Sequence, residues 1–135
     1  MSPRTRILVT EDDHNVRELI RTRLNLSGYE VHTARNGAEA LERIRTVRPD
    51  GMVLDINMPE VDGFAVLKAL REQGCLLPVL VLTARHGGDD VRRAVSLGAK
   101  DYLTKPFTEA QLQARVARLF RAPVPAAASP VLLGG

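Results

Sequence analysis

The stretch Val53-Leu54-Asp55-Ile56-Asn57-Met58-Pro59-Glu60-Val61-Asp62-Gly63 decides the fold. A short apolar run stops at a carboxylate, Asp55, and a turn marked by Pro59 and Gly63 follows. A run of this kind, bounded by turn residues, reads as a buried strand. In an open parallel sheet the carboxyl ends of the strands face the ligand crevice, so Asp55 is expected at the mouth of a site. Taken alone, a strand-end aspartate is more often a cap or turn residue. Matching chemistry at other strand ends removes that reading here.

Working outward, five strand–helix units alternate. The strands are expected at 7–10, 30–34, 51–54, 79–82 and 100–103, and the helices at 15–26, 38–47, 64–73, 89–97 and 109–120. Helix one carries Val16, Leu19, Ile20 and Leu24 on its apolar face, helix three Phe64, Leu67 and Leu70, and helix five Leu112, Val116 and Leu119. Leu41 and Ile44 point inward from helix two. Asn36 and Thr108 are placed to cap helices two and five, and Gly28 and Gly98 to end helices one and four. Uninterrupted alternation implies an α/β doubly wound parallel sheet with helices on both faces. The second strand is short and expected at the sheet edge. The loop from Ala84 to Gly88 is expected to be mobile. Residues 1–121 form one domain, and the tail 122–135, rich in Pro, Ala and Gly, reads as a linker or flexible end.

The 135 residues suffice for one domain with a proper core, and 44% hydrophobic with 26% charged is ordinary globular composition. No apolar run approaches the ~20 residues of a membrane span. The start, 1–6, has no signal-peptide apolar region, and the single cysteine, Cys75, forms no intrachain disulfide. A reducing cytoplasm is therefore expected. His14, His32 and His86 show no zinc spacing. Sixteen of the nineteen basic residues are arginine, spread over several helices, among them Arg17, Arg21, Arg23, Arg92, Arg93, Arg115 and Arg118. They read as solvated helix faces; with no aromatic stacking set, direct nucleic-acid binding by this domain is not expected.

The acids cluster at strand ends. Glu11 and Asp12 end strand one and Asp55 ends strand three, and in a doubly wound sheet those strands can be neighbours where the winding reverses. Three carboxylates in one pocket raise one another's pKa, and a divalent cation resolves the conflict. Hard oxygen ligands suit Mg²⁺, which keeps several waters and leaves room for a phosphoryl oxygen. Thr83 adds a hydroxyl after strand four and Lys105 an ammonium after strand five. Together they can stabilise charge on a transferring phosphoryl group, with Asp55 as the nucleophile. Nucleotide-binding folds of this class carry a Gly-rich loop after strand one. Here that loop is Glu11-Asp12-Asp13-His14-Asn15, which has no glycine and would repel a pyrophosphate.

The motifs Ile7-Leu8-Val9-Thr10-Glu11-Asp12-Asp13, 54–63, Leu82-Thr83-Ala84 and 101–107 closely resemble those of the receiver domain of bacterial two-component response regulators. The resemblance implies a flavodoxin-like five-stranded sheet of order 2-1-3-4-5 and phosphorylation of Asp55 by a sensor histidine kinase. It implies Mg²⁺ held by Asp12, Asp55 and the backbone carbonyl of Asn57, with Glu11 acting through water. Thr83 and Lys105 would hold phosphoryl oxygens, Tyr102 would be the aromatic switch, and the Lys105–Pro106 bond would be cis. The small Ala84 would leave the phosphoryl group accessible. Regulators of this type that carry a winged-helix DNA-binding domain pair through helix four, strand five and helix five. A phosphorylation-dependent homodimer on that surface is thus a further expectation, although of its charge pairs only Asp101 with Arg115 keeps opposite signs here. The 15 residues after Phe120 are not expected to form an output domain. The expected partner is a downstream protein or a missing output domain.

Two other classes compete. Aspartyl-nucleophile phosphohydrolases of the haloacid dehalogenase type look similar, but their second acid is replaced here by Asn57, which cannot act as a general acid or base. A constitutive interaction module predicts no response to a phosphodonor, and the full set Glu11, Asp12, Asp55, Thr83 and Lys105 argues against it.

Overall fold

The computed structural model describes residues 4–58, 63–84 and 88–121. The tail 122–135 and most of the loop 84–88 lie outside the described residues. The strands are β1 (Arg6–Thr10), β2 (Glu30–Ala34), β3 (Gly51–Asp55), β4 (Val79–Thr83) and β5 (Asp101–Thr104). The helices are α1 (His14–Leu26), α2 (Gly37–Val47), α3 (Gly63–Glu72), α4 (Gly88–Ser96) and α5 (Glu109–Leu119). All strand pairs are parallel, in the order β2-β1-β3-β4-β5, with β2 at one edge as expected. Strand and helix bounds agree with expectation to within one residue. β3 and β4 each run one residue further, because Asp55 and Thr83 still pair with Leu82 and Thr104 in the ladder.

Alternation along each central strand builds two cores. Ile7, Val9, Val53, Leu80 and Leu82 face Ile20, Leu24, Leu112, Val116 and Leu119 of α1 and α5. Leu8, Met52, Leu54, Val79 and Val81 face Ala40, Val66, Leu67, Leu70 and Ala94 of α2, α3 and α4. Strands apolar on both faces are what a sheet covered on both sides requires. The caps form as expected. The Asn36 carboxamide oxygen accepts from the Glu39 N–H at 2.8 Å. Thr108 and Gln111 make a reciprocal capping box, worth ~1 kcal/mol. Gly28 ends α1 at a φ of 97°, a conformation that side chains rarely adopt.

One apolar assignment fails. Leu19 is 54% exposed rather than inward. It sits on the rim of the α1 stripe and lines an apolar cleft of about 390 Å³ with Val16, Ala84, Lys105, Pro106 and Phe107.

Gly63 fits against the end of β3 only because it lacks a side chain. A Cβ there would lie 2.5 Å from the Ile56 Cα and 2.9 Å from the Asp55 carbonyl oxygen. Gly63→Ala is expected to destabilise the fold by ~1–3 kcal/mol, because backbone must move to admit the methyl group. Urea unfolding measures this; an unchanged midpoint would mean that α3 shifts without cost.

Candidate functional site

Each strand end is tied to its neighbour by a backbone hydrogen bond just past the ladder. The Glu11 N–H donates to the Ala34 carbonyl at 3.1 Å, the Ile56 N–H to Leu82 at 3.1 Å, and the Lys105 N–H to Thr83 at 2.8 Å. These bonds fix the directions in which the loops leave the sheet. They bring Glu11, Asp12 and Asp55 together, with one carboxylate oxygen from each within 4.8 Å of the others. Glu11 and Asp55 are buried, Asp55 to 3% exposure, while Asp12 is open to solvent.

Lys105 reaches this cluster from the β5–α5 loop. Its ammonium donates to Glu11 Oε2 at 2.9 Å and to Asp55 Oδ2 at 3.3 Å. The other Asp55 oxygen, Oδ1, accepts from the Asn57 backbone N–H at 2.9 Å. Asp13 turns away to cap α1, its Oδ1 accepting from the Val16 N–H at 3.0 Å, and its own N–H donates to Glu11 Oε1 at 3.3 Å.

Burial raises the Glu11 carboxyl from its ordinary 4.5 to about 7; the Asp55 charge adds to the rise and the Lys105 hydrogen bond opposes it. Burial by itself would lower the Lys105 ammonium. The hydrogen bond to Glu11 and the charges of Asp55 and Glu11 outweigh it and hold Lys105 above its usual range. Glu11 therefore carries a pH signature. Between about 4.5 and about 7 the folded protein binds a proton that the unfolded chain releases. Its stabilising contribution is complete below 4.5 and is lost as pH rises through 7. In the metal-free protein, Glu11→Gln is expected to flatten this segment of the stability–pH profile, by on the order of 2 kcal/mol. Urea unfolding at about pH 5 and about pH 7.5 reads it; parallel profiles for the variant and the parent would sink the assignment.

Thr83 ends β4 one residue beyond the Leu82 that pairs with Asp55. It is 1% exposed, and its hydroxyl is the one buried side-chain polar atom among the described residues that lacks a hydrogen-bond partner. Buried hydroxyls are normally satisfied, so an orphan at the edge of an acidic pocket fits a group that this protein binds there. The donor set fits a hard divalent cation: carboxylate oxygens converge, and no His or Cys accompanies them among the described residues. Asn57 is exposed next to Asp55, with its backbone N–H bonded to the Asp55 carboxylate.

Tyr102 lies outside this cluster. It pairs in register with Val81, is 39% exposed, and has the Arg115 guanidinium 5.8 Å from its ring centroid. Arg115 also pairs with Asp101 at 2.8 Å within the chain, so the one retained charge pair of the expected dimer surface is engaged internally. The Lys105–Pro106 bond is cis.

Arg17 departs from the expected pattern. Composition places it on a solvated helix face, yet it is 8% exposed and its guanidinium donates to the backbone of the β1–α1 loop. Its position carried a signal: a cation in the first turn of α1 opposes the helix dipole and so requires another reason to be there.

Residues 7–117 match the family model described as the response regulator receiver domain. The chain is 48% identical over 116 residues to the response regulator MprA of Mycobacterium ulcerans and 50% identical over 116 residues to the transcriptional regulatory protein PrrA of Mycobacterium leprae. Each match covers 86% of this chain and 50% of the relative, so the chain spans about half the length of the curated relatives it matches. Among solved structures it is similar to the Vibrio cholerae chemotaxis protein CheY4, with a TM-score of 0.82 and 32% identity over 87% of this chain and 100% of that one. It is also similar to the Francisella response regulator 1452 receiver domain, with a TM-score of 0.80 and 36% identity over 85% of this chain and 95% of that one. Among the described residues no helix is long and apolar enough to cross a membrane.

Proposed function

The chain belongs to the response regulator receiver family, the signalling switch of two-component systems, and on that footing we propose that Asp55 is its phosphoacceptor, in a Mg²⁺-dependent reaction with a sensor histidine kinase. The observation that carries this reading is the convergence of Glu11, Asp12, Asp55 and Lys105 at the carboxyl ends of β1 and β3 and just past β5.

Asp12, Asp55 and the Asn57 backbone carbonyl would hold the Mg²⁺, with Glu11 contributing through water. When bound, the ion offsets charge on the phosphoryl oxygens. A carboxylate oxygen of Asp55 attacks phosphorus, the P–N bond to the donor imidazole breaks, and the imidazole leaves. Lys105 stabilises the charge that spreads over the transferring group, and the Thr83 hydroxyl donates to one of its oxygens. The orphan state of that hydroxyl before reaction supports this role. Tyr102 turns inward as Thr83 moves toward the phosphoryl group, which alters the α4–β5–α5 face. The apolar cleft beside Lys105, lined in part by Leu19, supports docking of the kinase next to Asp55.

Residues 1–121 constitute the receiver, 122–135 a flexible tail or linker, and the cytoplasm its compartment. The altered face controls a partner protein or an output domain, with a homodimer as one form of output. The receiver acts as a phosphoacceptor rather than as a phosphohydrolase, since Asn57 supplies no acid or base.

Intact mass after incubation with acetyl phosphate and Mg²⁺ tests the proposal, with phosphorylated kinase as a second donor. A single Mg²⁺-dependent phosphoryl gain is expected. Absence of a gain with both donors would favour the constitutive module, and steady phosphate release from a generic ester would favour the hydrolase.

A further inference from the structure

We propose that Arg17 is the positioning residue of the cation site, holding the β1–α1 loop in the one conformation that lets Glu11 and Asp12 face Asp55. This rests on the reading of that cluster as the Mg²⁺ site.

The guanidinium lies under the loop and ends on its backbone. Nη1 donates to the Glu11 carbonyl at 2.9 Å and contacts the Asp12 carbonyl at 3.4 Å, while Nη2 lies 3.1 Å from His14 Nδ1. Among the described residues no carboxylate pairs with it. That choice of acceptors matters. Lys105 ties up oxygens of Glu11 and Asp55, and a cation must displace it to reach them. Arg17 brings a second positive charge to the acidic loop without occupying any carboxylate oxygen. Nη1 serves two successive carbonyls while Nη2 stands at His14, a planar two-nitrogen reach that a single lysine ammonium cannot reproduce. Two peptide carbonyls held by one guanidinium restrict the loop dihedrals between them. The side chains of Glu11 and Asp12 then project to the pocket side, and Asp13 is free to cap α1.

A purely structural arginine would make the opposite prediction: its variants would lose stability, while the folded fraction would bind Mg²⁺ as before. Groups that orient metal ligands from behind typically change metal affinity by ~10–100-fold when replaced. The test is calorimetric titration of Mg²⁺ into wild type, Arg17→Lys and Arg17→Met, with amide hydrogen exchange at 12–14 in the metal-free proteins. Both variants are expected to bind about 10–100-fold more weakly and to exchange these amides faster. Arg17→Lys keeps the charge and is the milder change, so it decides alone if Arg17→Met does not fold. Wild-type affinity or wild-type exchange in Arg17→Lys overturns the positioning role, and loss confined to Arg17→Met assigns the effect to charge and overturns it as well. A wild type that binds no Mg²⁺ is a different failure, that of the cation site itself, and it removes this inference with it.

Discussion

Asp55→Asn is expected to abolish phosphoryl uptake from acetyl phosphate while making the metal-free protein more stable. The two signs together are diagnostic. Asp55 is buried with Glu11 and near Asp12, and a single ammonium serves both buried carboxylates. Like charges at this range work against folding, so the neutral amide relieves repulsion, by on the order of 1 kcal/mol. The amide also keeps the shape of the side chain, and its oxygen can still accept from the Asn57 N–H. Loss of uptake therefore cannot be ascribed to unfolding. Intact mass gives the first reading and urea unfolding the second. A single-phosphate gain that survived in Asp55→Asn would move the acceptor to another side chain. Lost uptake with lowered stability would leave the nucleophile unassigned.

Lys105→Met is expected to slow phosphorylation of Asp55 by about 10²-fold or more, the usual effect of removing one preorganised donor from a developing anionic centre. Mg²⁺ affinity is expected to move the other way. The ammonium bridges Glu11 Oε2 and Asp55 Oδ2, so a cation gains access to those oxygens when it is gone. Stability of the metal-free protein falls by less than the ~3–5 kcal/mol of a broken buried pair, for two reasons. Lys105 is partly exposed, and Glu11, already raised to about 7, can take up a proton near neutrality instead of staying charged. Stopped-flow or time-resolved mass measurement gives the rate, and calorimetry the affinity. Equal phosphorylation rates would remove Lys105 from the reaction, and weakened Mg²⁺ binding would show that it organises the carboxylates rather than competing for them.

The α4–β5–α5 face carries the remaining functional question. Arg115 pairs with Asp101 and lies against the Tyr102 ring, and Arg118 approaches Asp101 at 3.8 Å. The inward turn proposed for Tyr102 would break its ring contact with Arg115, while Asp101 remains a partner for both arginines. On the proposed reading, that loss of contact is how a phosphoryl group added at Asp55 is read on this face.

Much of this protein was legible in its sequence, because the signals concerned are local. Short apolar runs bounded by turn residues set the strands apart from the 3.6-residue helix faces. Asn36 and Thr108 announced the starts of α2 and α5, and the abrupt ends of apolar runs at Glu11, Asp55 and Thr83 marked the mouth of the site. Tertiary structure decided what lies across from what. Lys105 stands 94 residues from Glu11 and 50 from Asp55, and strand order and register brought them into contact. It also decided three side chains that periodicity misplaces or leaves open. Leu19 is on the apolar face of α1 by spacing, yet it is exposed and lines an open cleft beside Lys105 and Phe107. Arg17 is a surface residue by composition, yet the β1–α1 loop folds over it and offers its carbonyls. Tyr102 stands one residue before the buried Leu103 in β5 and is 39% exposed, with the Arg115 guanidinium of α5 5.8 Å from its ring centroid. Spacing along a chain fixes which direction a side chain takes from its own backbone, and only the packing of distant segments determines whether water, an apolar core or another peptide group is waiting there.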